Sequence, residues 1–276
     1  VSSQIKHLED QLNVRLFVRG EKGVSPTHCG AILYNYAKRM ENLSKEAIGK
    51  ISEITGNYEG KLMLGASSTV GDYIIPKIVG MFKKENPGIE VRLTISNKET
   101  IIRDLLDYNL DLGLIAGQAN DELLIGNIVL VDEIFLVVSP EHPWSNRKSI
   151  KLEEILEVPL ILRERNSATR QLIESTFEKN KIKLTDLNIF AEFSNYEAIK
   201  SAVESNLAVS FISKWACSRE IHAGVLRKVD IENVKIIRNI YFVRRKKEAW
   251  NPAAKAFYKF FTNSQEVLLE RDYRIV

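Results

Sequence analysis

The chain has 276 residues, 45% of them hydrophobic and 27% charged, which is enough to bury a substantial core and too long for one typical compact domain, so two or three domains are expected. Lys plus Arg exceed Asp plus Glu by only three, 39 against 36, so bulk charge does not by itself announce a nucleic-acid binder. Two distant cysteines, Cys29 and Cys217, offer neither a disulfide framework nor metal-ligand spacing, and no apolar run approaches the roughly 20 residues of a membrane span, so a cytoplasmic location is expected.

Residues 3–17 read as a helix, because Ile5, Leu8, Leu12 and Leu16 recur at spacings of three and four. Its first turn carries the short polar side chains Ser2, Ser3 and Gln4. Leu16-Phe17, Arg19 and the turn-rich Gly20-Glu21-Lys22-Gly23 suggest a hairpin. Pro26-Thr27 makes a helix start with Thr27 as N-cap. The helical pattern then runs to about Thr55 with Leu33, Tyr36, Met40, Leu43, Ala47, Ile51 and Ile54 on one stripe. That stripe is close to a heptad seam and needs a cover, which predicts a dimer built on this helix.

After a hinge at Gly56–Gly60 the texture changes. Strands are expected at 62–66, 89–95 and 111–116, with helices at 72–86 and 98–107, an alternation that implies a parallel sheet. A second set follows, with strands near 134–138, 159–162, 188–193 and 207–212 and helices near 168–180 and 195–205. Pro140, His142 and Pro143 read as the passage between the sets. A last strand at 240–243 and an amphipathic helix from Pro252 complete the chain. Two α/β halves joined by crossover strands make a hinged unit with a cleft between them.

Catalytic motifs fail on inspection. GNYEGK at 56–61 is one residue short of a phosphate loop and precedes a strand instead of following one. The four histidines are scattered, and no nucleophile, base or metal cluster stands out, so neither an enzyme nor a cofactor is expected. Small hydroxyls and amides gather instead at the carboxyl ends of strands, where ligands of α/β sheets sit. Ser67, Ser68 and Thr69 follow the first strand; Ser96 and Asn97 the second; Asn166, Ser167 and Thr169 the PLIL strand; Ser194 and Asn195 the FAEF strand. Each alone is equally well an N-cap. Four such junctions, nearly free of carboxylate and histidine, suit binding of a small anionic or polar metabolite more than its conversion. A solute-binding protein of periplasmic type shares that two-lobed design and is the alternative.

S-S-Q-I-K-x-L-E-x-x-L-x-V-x-L-F-x-R at Ser2–Arg19, followed by G-V-S-P-T-x-x-G to Gly30, closely resembles the end of the winged helix-turn-helix of LysR-type transcriptional regulators. LILRERNSATR at 160–170 resembles the REPGSGTR stretch of the branch that includes the CysL and CbbR regulators of sulfur and carbon assimilation. Arg165, Asn166 and Ala168 depart from that stretch, so no effector is carried over. The resemblance implies an α/β chain with a partial winged helix-turn-helix at 1–26, a linker helix at 27–57 and an effector domain at 58–276 of periplasmic-binding-protein type II architecture. Its first lobe would span about 58–133 and 244–276, and its second about 134–243. It assigns Ser2, Ser3 and Gln4, with Lys6 on the same helix, to operator DNA in the major groove, and Arg19 and Lys22 to the wing and phosphates. It implies a homodimer through the linker helix and a homotetramer. The family's two preceding helices are not in this sequence, so the chain reads as a fragment that binds operator DNA weakly or not at all. Asn13 stands where Gly is usual, a mild departure because Asn also tolerates the left-handed conformation.

Overall fold

The computed structural model describes residues 2–20, 23–55, 60–246 and 250–271. Helix α1 (Ser2–Leu12) leads through Asn13, which adopts a left-handed φ of 49°, into β1 (Phe17–Gly20) and β2 (Gly23–Pro26), an antiparallel pair. Asn tolerates that backbone where most residues would be strained. The Glu9 carboxylate accepts from the backbone N–H groups of Leu16 and Phe17, fixing the strand against the helix. Lys22 lies outside the described residues, as do residues 56–59 of the expected hinge. Thr27 caps α2 (His28–Thr55) as expected, accepting from Gly30 N at 3.0 Å. Gly30 is required there: a Cβ would sit 2.0 Å from the Leu16 carbonyl oxygen.

The rest of the chain builds one ten-stranded sheet. In chain order it contains β3 (Gly60–Ala66), α3 (Ser68–Tyr73), α4 (Ile75–Glu85), β4 (Ile89–Ile95), α5 (Lys98–Leu106), β5 (Leu112–Ala116) and β6 (Leu124–Val138). There follow β7 (Ser149–Ile150), β8 (Leu160–Arg163), α6 (Ala168–Lys179), β9 (Ile189–Phe193), α7 (Tyr196–Glu204), β10 (Val209–Ser213), α8 (Lys214–His222), β11 (Arg227–Ile231), β12 (Ile236–Arg245) and α9 (Pro252–Arg271). The main path runs β4-β3-β5-β12-β6-β10-β8-β9, with β11 beside β6 and β7 beside β11.

The parallel order expected of the first strand set is found in β3, β4 and β5, and β10, β8 and β9 are parallel too. The sheet as a whole is mixed, because β12 is antiparallel to β5 and β6, and β6 to β10. Two expectations need correcting. The passage between the halves does not lie at Pro140–Pro143, which fall after β6. It runs inside β6 itself, whose first part pairs with β12 beside β5 and whose last part pairs with β10. Finally, the helix expected at 72–86 is two helices, because Pro76 can start a helix but cannot donate inside one, and the chain breaks at Ile74.

Each lobe has its own core. In the first, Leu62, Leu64, Ile78 and Phe82 pack with Phe242 of β12 and with Phe257 and Phe261 of α9, the Phe82 and Phe257 rings meeting edge to face at 5.2 Å. In the second, Leu160, Leu162, Phe177 and Phe211 pack with Trp144. With each lobe independently filled, β6 and β12 are left as the strands of the sheet path shared by both. What lies on them positions the site.

Candidate functional site

On those two strands, near the start of β12, Arg238 and Asp132 stand directly opposite each other in register. Asp132 is fully buried and Arg238 is 9% exposed. Arg238 Nε donates to Asp132 Oδ2 at 2.8 Å, and Nη2 lies 2.7 Å from the same oxygen. Ser213, the last residue of β10, donates through Oγ to Asp132 Oδ1 at 2.7 Å. Burial drives the Asp132 carboxyl above the ordinary carboxylate range, and the Arg238 charge and the Ser213 hydroxyl oppose that push. Burial penalises the Arg238 cation in turn, and Asp132 and Tyr196 together outweigh it, holding the guanidinium above its ordinary value.

The two outer nitrogens of Arg238 reach hydroxyls from opposite lobes. Nη2 donates to Thr69 Oγ1 at the start of α3, and Nη1 to Thr169 Oγ1 at the start of α6, both at 2.9 Å. Thr169 Oγ1 also lies 2.7 Å from the hydroxyl of Tyr196, at the start of α7. Arg163, buried at the end of β8, covers the Tyr196 ring at 4.5 Å and is held by Glu164. A second bridge lies beside the first: Tyr73 of α3 donates to Glu197 of α7 at 2.9 Å, and Lys200 bonds to Glu197 and Glu220.

The predicted residues therefore divide. Ser67, Thr69, Ser167 and Thr169 are all buried, and of these Thr69 and Thr169 meet at Arg238. Ser167 caps α6, accepting from Thr169 N, whereas Ser67 Oγ is buried with no hydrogen-bond partner among the described residues. Ser68 is half-buried next to it. Asn97 and Asn195 are exposed, and their side-chain oxygens cap α5 and α7, accepting from Thr100 N and Ala198 N. Ser96 is half-buried at the end of β4, its N–H on the Ala66 carbonyl, and Ser194 is exposed at the end of the edge strand β9. For those two asparagines the simple capping explanation accounts for the geometry.

Arg238, Asp132, Ser213 and Tyr196 escaped the sequence reading. Charge set inside each of two apolar runs, LIGNIVLVDEIFLVV and IIRNIYFV, was the available signal for the first two, since unpaired charges are almost never buried. Ser213 obeys the same strand-end rule that picked out the other hydroxyls. At the other end of the chain, Ser3, Gln4 and Lys6 are exposed on the first turns of α1, and Arg19 is exposed on β1.

Comparison with known families decides what this arrangement belongs to. Residues 55–266 match the LysR substrate binding domain, and residues 1–31 match the bacterial regulatory helix-turn-helix protein of the lysR family. The chain belongs to the LysR family. It is a LysR-type transcriptional regulator with an effector-binding domain. A probable RuBisCO transcriptional regulator of Cyanidium caldarium is 32% identical over 261 residues, covering 93% of this chain and 82% of the relative. A full-length OxyR variant of Pseudomonas aeruginosa shares the fold at a TM-score of 0.74 with 20% identity, covering 96% of this chain and 84% of that one. The CcmR regulatory domain of Synechocystis, solved with 2-PG, shares it at 0.69 with 23% identity, covering 75% of this chain and 98% of that one.

The helix-turn-helix match sets aside the solute-binding alternative, since such a protein has no use for residues 1–31. LysR proteins are a family of regulators and not of enzymes. None of the described helices is long and apolar enough to cross a membrane.

Proposed function

We propose that this LysR regulator responds to a small anionic or polar effector bound between its lobes. The observation that carries the reading is the convergence of Thr69 and Thr169, from opposite lobes, on one buried guanidinium, beside a Ser67 hydroxyl that has no partner among the described residues. Ser67, Thr69, Ser167 and Thr169 form the inner contacts. Ser68, Ser96, Asn97, Ser194 and Asn195 sit at the outer ends of the same junctions, available to ligand atoms that project further. An effector acts by preferring one arrangement of the lobes over another, and no stronger requirement exists.

The division of labour is residues 1–26 for DNA, 27–57 for dimerisation and 58–276 for sensing. Ser2, Ser3, Gln4 and Lys6 meet operator base edges, while Arg19 and Lys22 hold the phosphate backbone. The dimer forms through α2, two dimers form the tetramer, and the regulator works in the cytoplasm, where its operator is. A thermal-shift screen of sulfur and carbon metabolites, with 2-PG included because the CcmR domain was solved with it, supplies a binder. Ser67→Ala combined with Thr169→Ala should abolish that binder's calorimetric heat with the circular dichroism spectrum unchanged. Undiminished heat would sink the site.

A further inference from the structure

The guanidinium of Arg238 uses its two faces differently. Its side face, Nε and Nη2, is taken by Asp132 across the β6–β12 register. Its end face, one N–H from each outer nitrogen, rests on two neutral oxygens, Thr69 Oγ1 and Thr169 Oγ1. Two parallel N–H groups match the paired oxygens of a carboxylate or phosphoryl group, and a charged acceptor makes the stronger bond. The end face is thus matched to an oxyanion and is occupied by weaker substitutes, one from each lobe. Each threonine hydroxyl accepts from Arg238 and retains its own proton, which Thr69 can turn to donate, while Thr169 Oγ1 also shares a hydrogen bond with the Tyr196 hydroxyl at 2.7 Å. The buried Ser67 hydroxyl, two residues before Thr69 and unpartnered among the described residues, leaves further hydrogen-bonding capacity at the same strand-to-helix junction.

We propose that Arg238 ties the two lobes together in the free regulator through Thr69 and Thr169, and that an effector's oxyanion replaces the threonines on its end face. This rests on the effector reading above and narrows it to ligands bearing a carboxylate or phosphoryl group. Asp132 balances the Arg238 charge whether or not a ligand is present, so the free cleft floor is neutral. Discrimination between anionic and neutral ligands then comes from the fork geometry and not from an unpaired cation. The same exchange makes binding a change in lobe position, because the hydroxyls that leave the guanidinium belong to different lobes.

The test uses the full chain with Cys29→Ser and spin labels at Glu99→Cys on α5 and Lys179→Cys on α6, both exposed and in different lobes. Without ligand, a narrow interlobe distance distribution is expected, and Thr69→Val with Thr169→Val should broaden it while leaving the Arg238–Asp132 pair and the dichroism spectrum intact. Titration with inorganic phosphate should shift the distribution of the unsubstituted protein, and Arg238→Lys, which keeps the charge and loses the fork, should need at least about tenfold more phosphate. An unchanged distribution in the valine variant overturns the tie, and an unchanged phosphate response in Arg238→Lys overturns the oxyanion seat. A metabolite whose heat vanishes with Ser67→Ala/Thr169→Ala but survives Arg238→Lys overturns the inference and leaves the effector reading standing. Broadened distances in a protein whose cleft binds no metabolite support the tie and defeat the effector reading.

Discussion

At the scale of single residues, the Arg238–Asp132 pair is the costliest feature of the molecule to remove by halves. A buried ion pair is rarely a large net stabiliser, because desolvation of both charges offsets their attraction, yet deleting one partner strands the other in a dry interior. Asp132→Asn alone should therefore destabilise the effector domain by about 3–5 kcal/mol in a denaturant melt. Asp132→Leu with Arg238→Met, which removes both charges at similar volume, should recover most of that loss. A double variant as unstable as the single one would show that the pair, and not its stranded half, stabilises the fold. Thr69 and Thr169, whose hydroxyls touch this pair, were legible in the sequence because each sits where a strand ends and a helix begins, which is local information. Arg238 and Asp132 were not, since their meeting depends on an antiparallel register between residues 106 apart in the chain.

At the scale of elements, most strands and helices follow from periodicity, because a strand buried on both faces or a helix with one apolar stripe imposes its pattern on a few consecutive residues. Apart from the helix break before Pro76, which is local, the departures share one cause: the long β6, the antiparallel β12 and the helix α8, for which no element was expected, are set by partners far away in sequence. In α8, Trp215, Ala216, Cys217 and Ser218 are buried in succession, which erases the 3.6-residue alternation that marks a surface helix. Helix α2 is the opposite case, since its pattern is clear and much of its stripe is uncovered. Tyr36, Met40, Leu43 and Ile51 are each more than half exposed, from 57% to 66%, although the stripe they form is that of a buried seam. A second copy of α2 would cover them. Met40→Glu with Leu43→Glu should raise the dimer dissociation constant by more than about a hundredfold, since burying each such side chain contributes about 1.5–3 kcal/mol. Sedimentation velocity measures this, and a dimer that survives both substitutions would move the interface elsewhere.

At the scale of the whole molecule, the Arg238 and Tyr73–Glu197 bridges both span the lobes, and they respond differently to pH. The Arg238 bridge is enclosed, and its guanidinium stays charged at any ordinary pH. The Tyr73–Glu197 bridge is exposed and contains a carboxylate that titrates. Glu197 is held below its ordinary value of 4.5, first by its hydrogen bond to Lys200 and then by that from Tyr73, with partial burial acting against them. A depressed carboxylate contributes stability that is present above its unfolded value and is lost as pH falls through the folded value. The groups around it are Lys200, Tyr73 and the Asp72 carboxyl, which burial itself pushes upward. Acidification from neutrality should thus leave this bridge intact to about pH 5 and release it below the ordinary carboxylate range. With the labelled protein, the interlobe distance should loosen in that window, and Glu197→Gln should remove the step while keeping an acceptor for Tyr73. The effect on stability is small, because a solvent-exposed ion pair is screened and the hydrogen bond it accompanies contributes at most about 1 kcal/mol. Lobe position is the more sensitive readout, since a small bias on a hinge of two strands changes the population of closed molecules by severalfold. An acid step that persists unchanged in Glu197→Gln would place the titrating group elsewhere and leave the Arg238 bridge as the one that governs closure.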